Sequence, residues 1–376
     1  MKILVLNCGS SSIKYKLFEN KELLTSGLIE RIGEKGSKIK NYKQGLSLML
    51  EQLAESKKIK NISEIKAIGH RVVHGGMLSK SCIIDKKVIK IIKKFSPLAP
   101  LHNPANLKGI LEMQKMLPKI PNIAVFDTAF HSALPEYAYV YALPYEFYKK
   151  HKIRRYGFHG ISYQYISQRA SKLLKRPFNK LNLIMCHLGA GCSIAAVKNG
   201  NAIDTSMGFT PLEGLVMGTR CGDIDAGILI YLSKRFKIKP EHLDELLNKK
   251  SGLAGISGVG NDMRLILKGY KKGNKRCRLA LEIFCYKIKK YIASYASALG
   301  KVDAVVFTAG IGENVPLIRR WSANIDSLGM KIDEDKNKKA IEREAIISSN
   351  NSKIKVLVIP TNEAKMIAIE TEKLVR

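Results

Sequence analysis

Apolar residues along the chain alternate between short runs that stop at polar or glycine-rich clusters and longer stretches with a helical period. The first run, Ile3–Leu6, meets Asn7-Cys8-Gly9-Ser10-Ser11-Ser12 and resumes as Ile13–Phe18. Strand, glycine/serine turn and strand predict a β-hairpin. Far downstream Leu183–Cys186, the turn His187-Leu188-Gly189-Ala190-Gly191-Cys192 and Ser193–Val197 repeat the pattern. The two turns lie about half of the 376-residue chain apart, which argues for internal duplication of an α/β unit. Further strands are expected at Ala67–Val73, Ile123–Phe126, Asp303–Thr308 and Lys355–Ile359, each running into a polar or glycine-rich turn. Helices are expected at Tyr42–Ser56, Lys86–Phe95, Asn106–Leu117, Ser162–Leu174, Cys277–Leu299 and Ala364–Val375. The class is mixed α/β, in which ligands gather where strands end. No Pro/Gly/Ser-rich linker separates the halves, and the glycine-rich stretch Ser251–Asn261 reads as a loop with room for a lid.

Length suggests two or three domains. Apolar residues at 45% and charged residues at 26% exclude a disordered chain. Charge changes the picture: 64 Lys and Arg against 32 Asp and Glu leave a net +32. Such an excess fits either nucleic-acid binding or lysines spread over solvated faces. In Lys86–Phe95 the apolar Val88, Ile91, Ile92 and Phe95 recur at i, i+3, i+4 and i+7, so the lysines between them face water. With no aromatic RNA-binding pattern, zinc-finger spacing or basic arm, the solvated-face reading is preferred and no specific nucleic-acid partner is expected. The charge should still draw anionic substrates inward. Seven cysteines without a C-x-x-C pair indicate neither a disulfide framework nor a zinc site, and a reducing cytoplasm fits them. No apolar run reaches the length of a signal peptide or membrane span, so no membrane partner is expected.

The G-x-x-x-x-G-K-[ST] phosphate loop is absent, and no G-x-G-x-x-G opens a helix after a strand. The hairpin turns remain, since inward-pointing backbone N–H groups can cradle anionic oxygens. Ser10, Ser12 and Lys14 add hydroxyls and a cation to the first turn.

Eight motifs in order carry a resemblance. They are Asn7–Lys14, Gly69–Gly76, Phe126–His131, Tyr156–Gly160, Asp204–Gly214, Gly218–Arg220, Phe307–Asn314 and Pro360–Ala364, and together the set resembles the acetate kinases over nearly the whole chain. The resemblance implies a duplicated actin-like (ribonuclease-H-like) ATPase fold with two domains flanking a nucleotide cleft. Residues 1–129 with 366–376 would form the N-terminal domain, its C-terminal helix packed back on it, and 130–365 the nucleotide-binding domain. The reaction implied is reversible phosphorylation of acetate by ATP to acetyl phosphate and ADP, with Mg2+ or Mn2+ as metal. A cytoplasmic homodimer is implied as well.

Carried over residue by residue, Asp127, Arg71, His159 and Arg220 are the expected catalytic residues. Arg71 and Arg220 would clamp carboxylate and phosphoryl oxygens in the forked geometry lysine lacks. His159 would donate to the transferring group, and Asp127 would position nucleophile or metal. Arg71, Val73, Leu101, Phe158 and Pro211 would bind acetate. Lys14, His187, Leu188, Gly189, Ala190, Gly191, Asp262, Met263, Arg264, Gly310, Ile311, Gly312, Glu313 and Asn314 would hold the nucleotide, and Asn7 and Glu363 the metal. Ala190 stands where many relatives carry Asn, and Met263 where an aromatic residue is associated with the adenine site. The other classes weighed are a propionate or butyrate kinase, a non-catalytic actin-like ATP-binding scaffold and a nucleic-acid binder. The arginine, aspartate and histidine set speaks against the scaffold, which has no need of it.

Overall fold

The computed structural model describes residues 1–100 and 102–376 and divides into two compact units. Unit 1 is Met1–Ser132 with Phe158–Tyr165 and Asn362–Arg376; unit 2 is Ala133–Gly157 with Ile166–Thr361.

Unit 1 contains β1 (Lys2–Cys8), β2 (Ile13–Glu19), β3 (Glu22–Ile29), β4 (Ile65–Val72), β5 (Cys82–Ile83) and β6 (Asn122–Phe126) in the order β3-β2-β1-β4-β6-β5. The hairpin strands β1, β2 and β3 pair antiparallel, whereas β1, β4 and β6 pair parallel. Strand β1 shows why its run is continuously apolar. Leu4 and Leu6 point to a core shared with Leu46, Met49 and Leu53 of helix Tyr42–Glu55 and Met113 of helix Asn103–Met116. Ile3 and Val5 point to the other face, against Met366 and Ile367 of helix Glu363–Val375. With side chains alternating at period two, both faces of this central strand are buried.

Unit 2 contains β7 (Leu183–Leu188), β8 (Cys192–Lys198), β9 (Asn201–Thr205), β10 (Ala304–Thr308), β11 (Ala345–Ile346) and β12 (Lys355–Val358), ordered β9-β8-β7-β10-β12-β11. Strand for strand this repeats the first sheet: an antiparallel hairpin and its third strand, two parallel strands, and a short antiparallel edge. The shared order bears out the duplication expected from the paired hairpins and the actin-like fold implied by the resemblance. The long helix Lys275–Leu299 buries Leu281, Phe284, Ile288 and Ile292 and packs against β8.

The expected helices are all present, with ends moved by at most a few residues. One expectation is corrected: within Ser251–Asn261, Gly252–Ser257 form a short helix rather than open loop. It is seated by Leu253 N–H and Ala254 N–H, which donate to the Met217 and Gly218 carbonyls at 2.9 Å each. Glycines there start and stop the helix instead of breaking it: Gly252 has φ +63° and Gly258 φ +75°. Helices Ala226–Phe236 and Pro240–Lys249 had no counterpart in the pattern. Among the described residues, no helix is long and apolar enough to cross a membrane.

Candidate active site

In unit 1 the ends of three parallel strands converge. Register places Leu6 of β1 opposite His70 of β4, so Asn7 follows at the level of Arg71. Lys14 faces Asn7 across the hairpin and is exposed. The turn between them closes through Gly9 N–H to Ser12 O at 2.8 Å, and its Gly9 carbonyl accepts the Tyr42 hydroxyl.

Arg71 Nη2 donates to Asp127 Oδ2 at 2.8 Å, and its Nη1 lies 3.3 Å from Glu363 Oε2. Asp127 follows the fully buried β6, and its own side chain is 1% exposed. Glu363 opens the helix Glu363–Val375, where a carboxylate is favoured by the helix dipole. Three residues remote in sequence thus form one ion-paired cluster. Burial pushes the Asp127 carboxyl up to about 6 against the pull of Arg71, and Glu363 adds to the rise. Burial alone would lower the Arg71 guanidinium, but Asp127 and Glu363 more than offset it and hold it firmly charged. Asp127 Oδ1 is buried without a hydrogen-bond partner, an acceptor with capacity to spare.

Two asparagines that sequence reasoning missed hold this geometry. Asn106 accepts from Val73 N–H at 3.2 Å and donates to Cys8 O at 2.8 Å, tying the ends of β4 and β1 together. Asn103, one turn earlier, accepts from His74 N–H and donates to His74 O, both at 2.9 Å. The sequence signal is the pair of amides spaced i, i+3 at the start of a helix, in Asn103-Pro104-Ala105-Asn106. Val73 is buried at 7% exposure, and Phe158 is buried with its carbonyl 3.0 Å from His131 Nε2. His159 has φ +59°, an uncommon conformation for a non-glycine residue that marks a constrained position. Next to it, Gly160 N–H donates to the Asp127 carbonyl at 2.9 Å, and a Cβ at Gly160 would overlap that oxygen. Leu101 lies outside the described residues.

In unit 2 the second hairpin turn is closed by Gly189 N–H to Gly191 O at 3.1 Å. Its exposed Ala190 accepts from Gly218 N–H at 3.1 Å, joining the turn to the segment that carries Arg220. His187 and Leu188 are buried in β7. Strand β10 leads directly into helix Ala309–Asn314, which contains Gly310, Ile311, Gly312, Glu313 and Asn314. Glu313 Oε1 accepts from Thr361 N–H at 2.9 Å. Arg319, also missed, is fully buried and donates to the Gly312 and Glu313 carbonyls at 2.9 and 2.8 Å, fixing the end of that helix. Asp262 caps helix Met263–Lys271 and pairs with the exposed Arg264, while Met263 is buried.

Arg220 is half-buried and donates from Nη1 to the Pro211 carbonyl at 2.9 Å. Among the described residues it has no carboxylate within ion-pair distance, and burial lowers its pKa. A guanidinium so placed is a ready anion site. No group of three or more His, Cys, Asp or Glu side chains is arranged to hold a metal among the described residues.

Two matched sheets, each with a glycine turn after its first strand, are the architecture of the actin-like ATPase fold. Comparison narrows it. The model of the acetokinase family matches residues 2–369, and the chain belongs to that family. An acetate kinase of Thermoanaerobacterium thermosaccharolyticum is 53% identical, over 100% of this chain and 99% of its own. The crystal structure of Porphyromonas gingivalis acetate kinase superposes with TM-score 0.95 at 44% identity, covering all of both chains. A propionate kinase from Francisella tularensis gives TM-score 0.94 at 45% identity, covering 99% of each.

Proposed function

We infer that this protein is an acetate kinase, transferring the γ-phosphoryl group of ATP to the acetate carboxylate and back. The observation that carries the mechanism is Arg220: a half-buried guanidinium that donates to a carbonyl and a thioether and, among the described residues, has no carboxylate within ion-pair distance. Acetate is already anionic and nucleophilic, so the chemical task is to overcome its repulsion from a phosphoryl group whose charge spreads over three oxygens. In this reading Arg220 binds the phosphoryl oxygens and Arg71 the acetate carboxylate. Asp127 and Glu363 hold Arg71 in place, and His159 donates to the transferring group. Val73 and Phe158, both buried, would contact the acetate methyl. The backbone N–H groups of the 189–191 turn and the helix after β10 would receive the nucleotide, with Lys14, Asp262, Met263 and Arg264 beside it. Ala190 offers backbone groups but no side-chain donor.

The residues present fit a hard divalent cation. Asp127 Oδ1 is an unsatisfied buried oxygen, and Glu363, beside Arg71 at the start of its helix, and the Asn7 amide in β1 would add oxygen donors. Mg2+ keeps several of its waters, so a site built from few protein oxygens suits it. When bound, it would neutralise phosphate charge. The seven free cysteines agree with a reducing cytoplasm. A homodimer is supported by helix Ala226–Phe236, which is rich in apolar residues yet buries none and exposes Ile228, Ile230, Tyr231 and Phe236; sedimentation at the size of one chain would refute it.

The deciding test is acetyl hydroxamate formation from ATP, Mg2+, acetate and hydroxylamine. Absence of product across salt and pH would reject the enzyme. Similarity to a propionate kinase favours a second acid as a slower substrate, and higher kcat/KM for propionate than for acetate would reverse the order of preference.

A further inference from the structure

The segment that carries Pro211 and Arg220 has neither helix nor strand from Ser206 to Asp225. Its shape is nevertheless fixed by side chains reaching in from elsewhere in unit 2. Arg155 Nη2 donates to Glu213 Oε1 at 2.5 Å. The other terminal nitrogen of Arg155 donates to three successive carbonyls, Thr205, Ser206 and Met207, at 2.9, 3.2 and 3.2 Å. The Tyr141 hydroxyl donates to Glu213 Oε2 and accepts from Phe209 N–H at 2.9 Å. On the far side, Asp223 accepts from Gly214 N–H at 2.7 Å and from the Tyr291 hydroxyl at 2.6 Å. Pro211 lies between these ties, and its carbonyl receives Arg220. Gly208 has no room for a side chain, since a Cβ there would overlap Glu213 Oε2 and the Tyr141 hydroxyl.

We propose that Glu213 is a positioning residue for Arg220: held by Arg155 and Tyr141, it sets the place of the Pro211 carbonyl and hence of the Arg220 guanidinium. Glu213 is bonded to Arg155 and Tyr141 and acts through the backbone two positions away. An ion pair on an irregular segment contributes little stability over apolar packing, but it fixes direction through two oxygens at once. The forked Arg155 reads four acceptors, a geometry lysine lacks. The proposal rests on the assignment of Arg220 to the transferring phosphoryl group, where displacement by about 1 Å costs on the order of 10²-fold in rate.

The test is a double-mutant cycle on the full chain, with kcat and KM for acetate and ATP measured for Glu213→Ala with Arg220 intact and in Arg220→Ala. Glu213→Ala should lower kcat by ~10–100-fold while leaving the ATP KM within about twofold. In Arg220→Ala the same change should cost less than about twofold, because the residue it positions is gone. Losses that multiply, or a kcat within about twofold of the parent, would overturn the proposal. If Glu213→Ala fails to fold, Tyr141→Phe, which keeps the ion pair, should give a smaller loss that likewise vanishes without Arg220. A parent chain that makes no acetyl hydroxamate refutes the function instead. Crystals of the variant then decide the positioning by themselves: an Arg220 guanidinium still bonded to the Pro211 carbonyl overturns it.

Discussion

Replacing Arg71 with alanine should expose how the buried carboxylate is stabilised. Asp127 is 1% exposed and Arg71 19%, so the variant leaves a carboxylate in a nearly dry site with Glu363 as its remaining charged neighbour. Breaking such a pair costs about 3–5 kcal/mol when the orphaned group stays charged. Asp127 can escape that cost by taking a proton, which makes the penalty depend on pH. In the parent its folded pKa is raised to about 6, above the ordinary carboxylate value. A raised acid contributes stability at low pH that is lost as pH climbs to the folded pKa. In the parent that loss is complete near pH 6. Without Arg71 the folded pKa moves higher, so the loss continues and the gap between parent and variant widens by about 1.4 kcal/mol per pH unit above ~6. Urea unfolding of both proteins between about pH 6 and 8 measures the gap. Asp127→Asn in the Arg71→Ala background should abolish the widening, since the buried carboxylate is gone. A gap that stays flat over this range would refute the claim that Asp127 holds a buried charge stabilised by Arg71.

Further expectations concern rate, scaffold and specificity. Arg220→Ala should cut kcat by ~10³-fold or more in the hydroxamate assay if it stabilises the transferring group, and a loss under tenfold would move that role elsewhere. Asn106→Ala removes two buried hydrogen bonds and strands their backbone partners, so urea unfolding should show a loss of about 2–4 kcal/mol; a loss under 1 kcal/mol would mean that the strand ends hold themselves. Val73→Ala should raise the propionate-to-acetate ratio of kcat/KM by ~10-fold, because one methylene is worth about 1–3 kcal/mol in such a pocket; an unchanged ratio would remove Val73 from it.

How much of this was legible depended on the range of the interaction. Strands β1, β7 and β10 were readable because their apolar runs and terminal glycines are local signals. Duplication was readable because the second hairpin repeats the first in composition and turn type, and the matched strand orders bear it out. Lysines that could have signalled a nucleic-acid face lie on helices such as Lys86–Phe95, where Val88 and Ile92 are buried and the basic residues look outward. The glycine-rich stretch after Ser251 misled because glycine marks both open loops and helix ends. Which one holds was decided by carbonyls at Met217 and Gly218, far away in sequence.

The site divides along the same line. Which residues carry chemistry could be proposed from motifs, because each is adjacent to a turn the chain itself announces. What holds those residues could not, because the supporting contacts join side chains to backbone groups tens of residues away. Asn106 meets Cys8 98 positions upstream, and Glu213 meets Tyr141 72 positions upstream. The i, i+3 spacing marks Asn103 and Asn106 as a pair and nothing local marks Glu213; only the fold shows that Asn106 donates to the Cys8 carbonyl and that Glu213 accepts from Tyr141. Arg319 makes the point most sharply. In sequence it is one of 64 basic residues, yet it is fully buried with its guanidinium spent on backbone carbonyls and the Asn337 amide oxygen, and burial lowers it to about 10. The basic side chains that matter here are therefore distinguished by what they are bonded to: Arg319 by carbonyl oxygens, Arg71 by carboxylates, and Arg220 by the Pro211 carbonyl, with no carboxylate within ion-pair distance among the described residues.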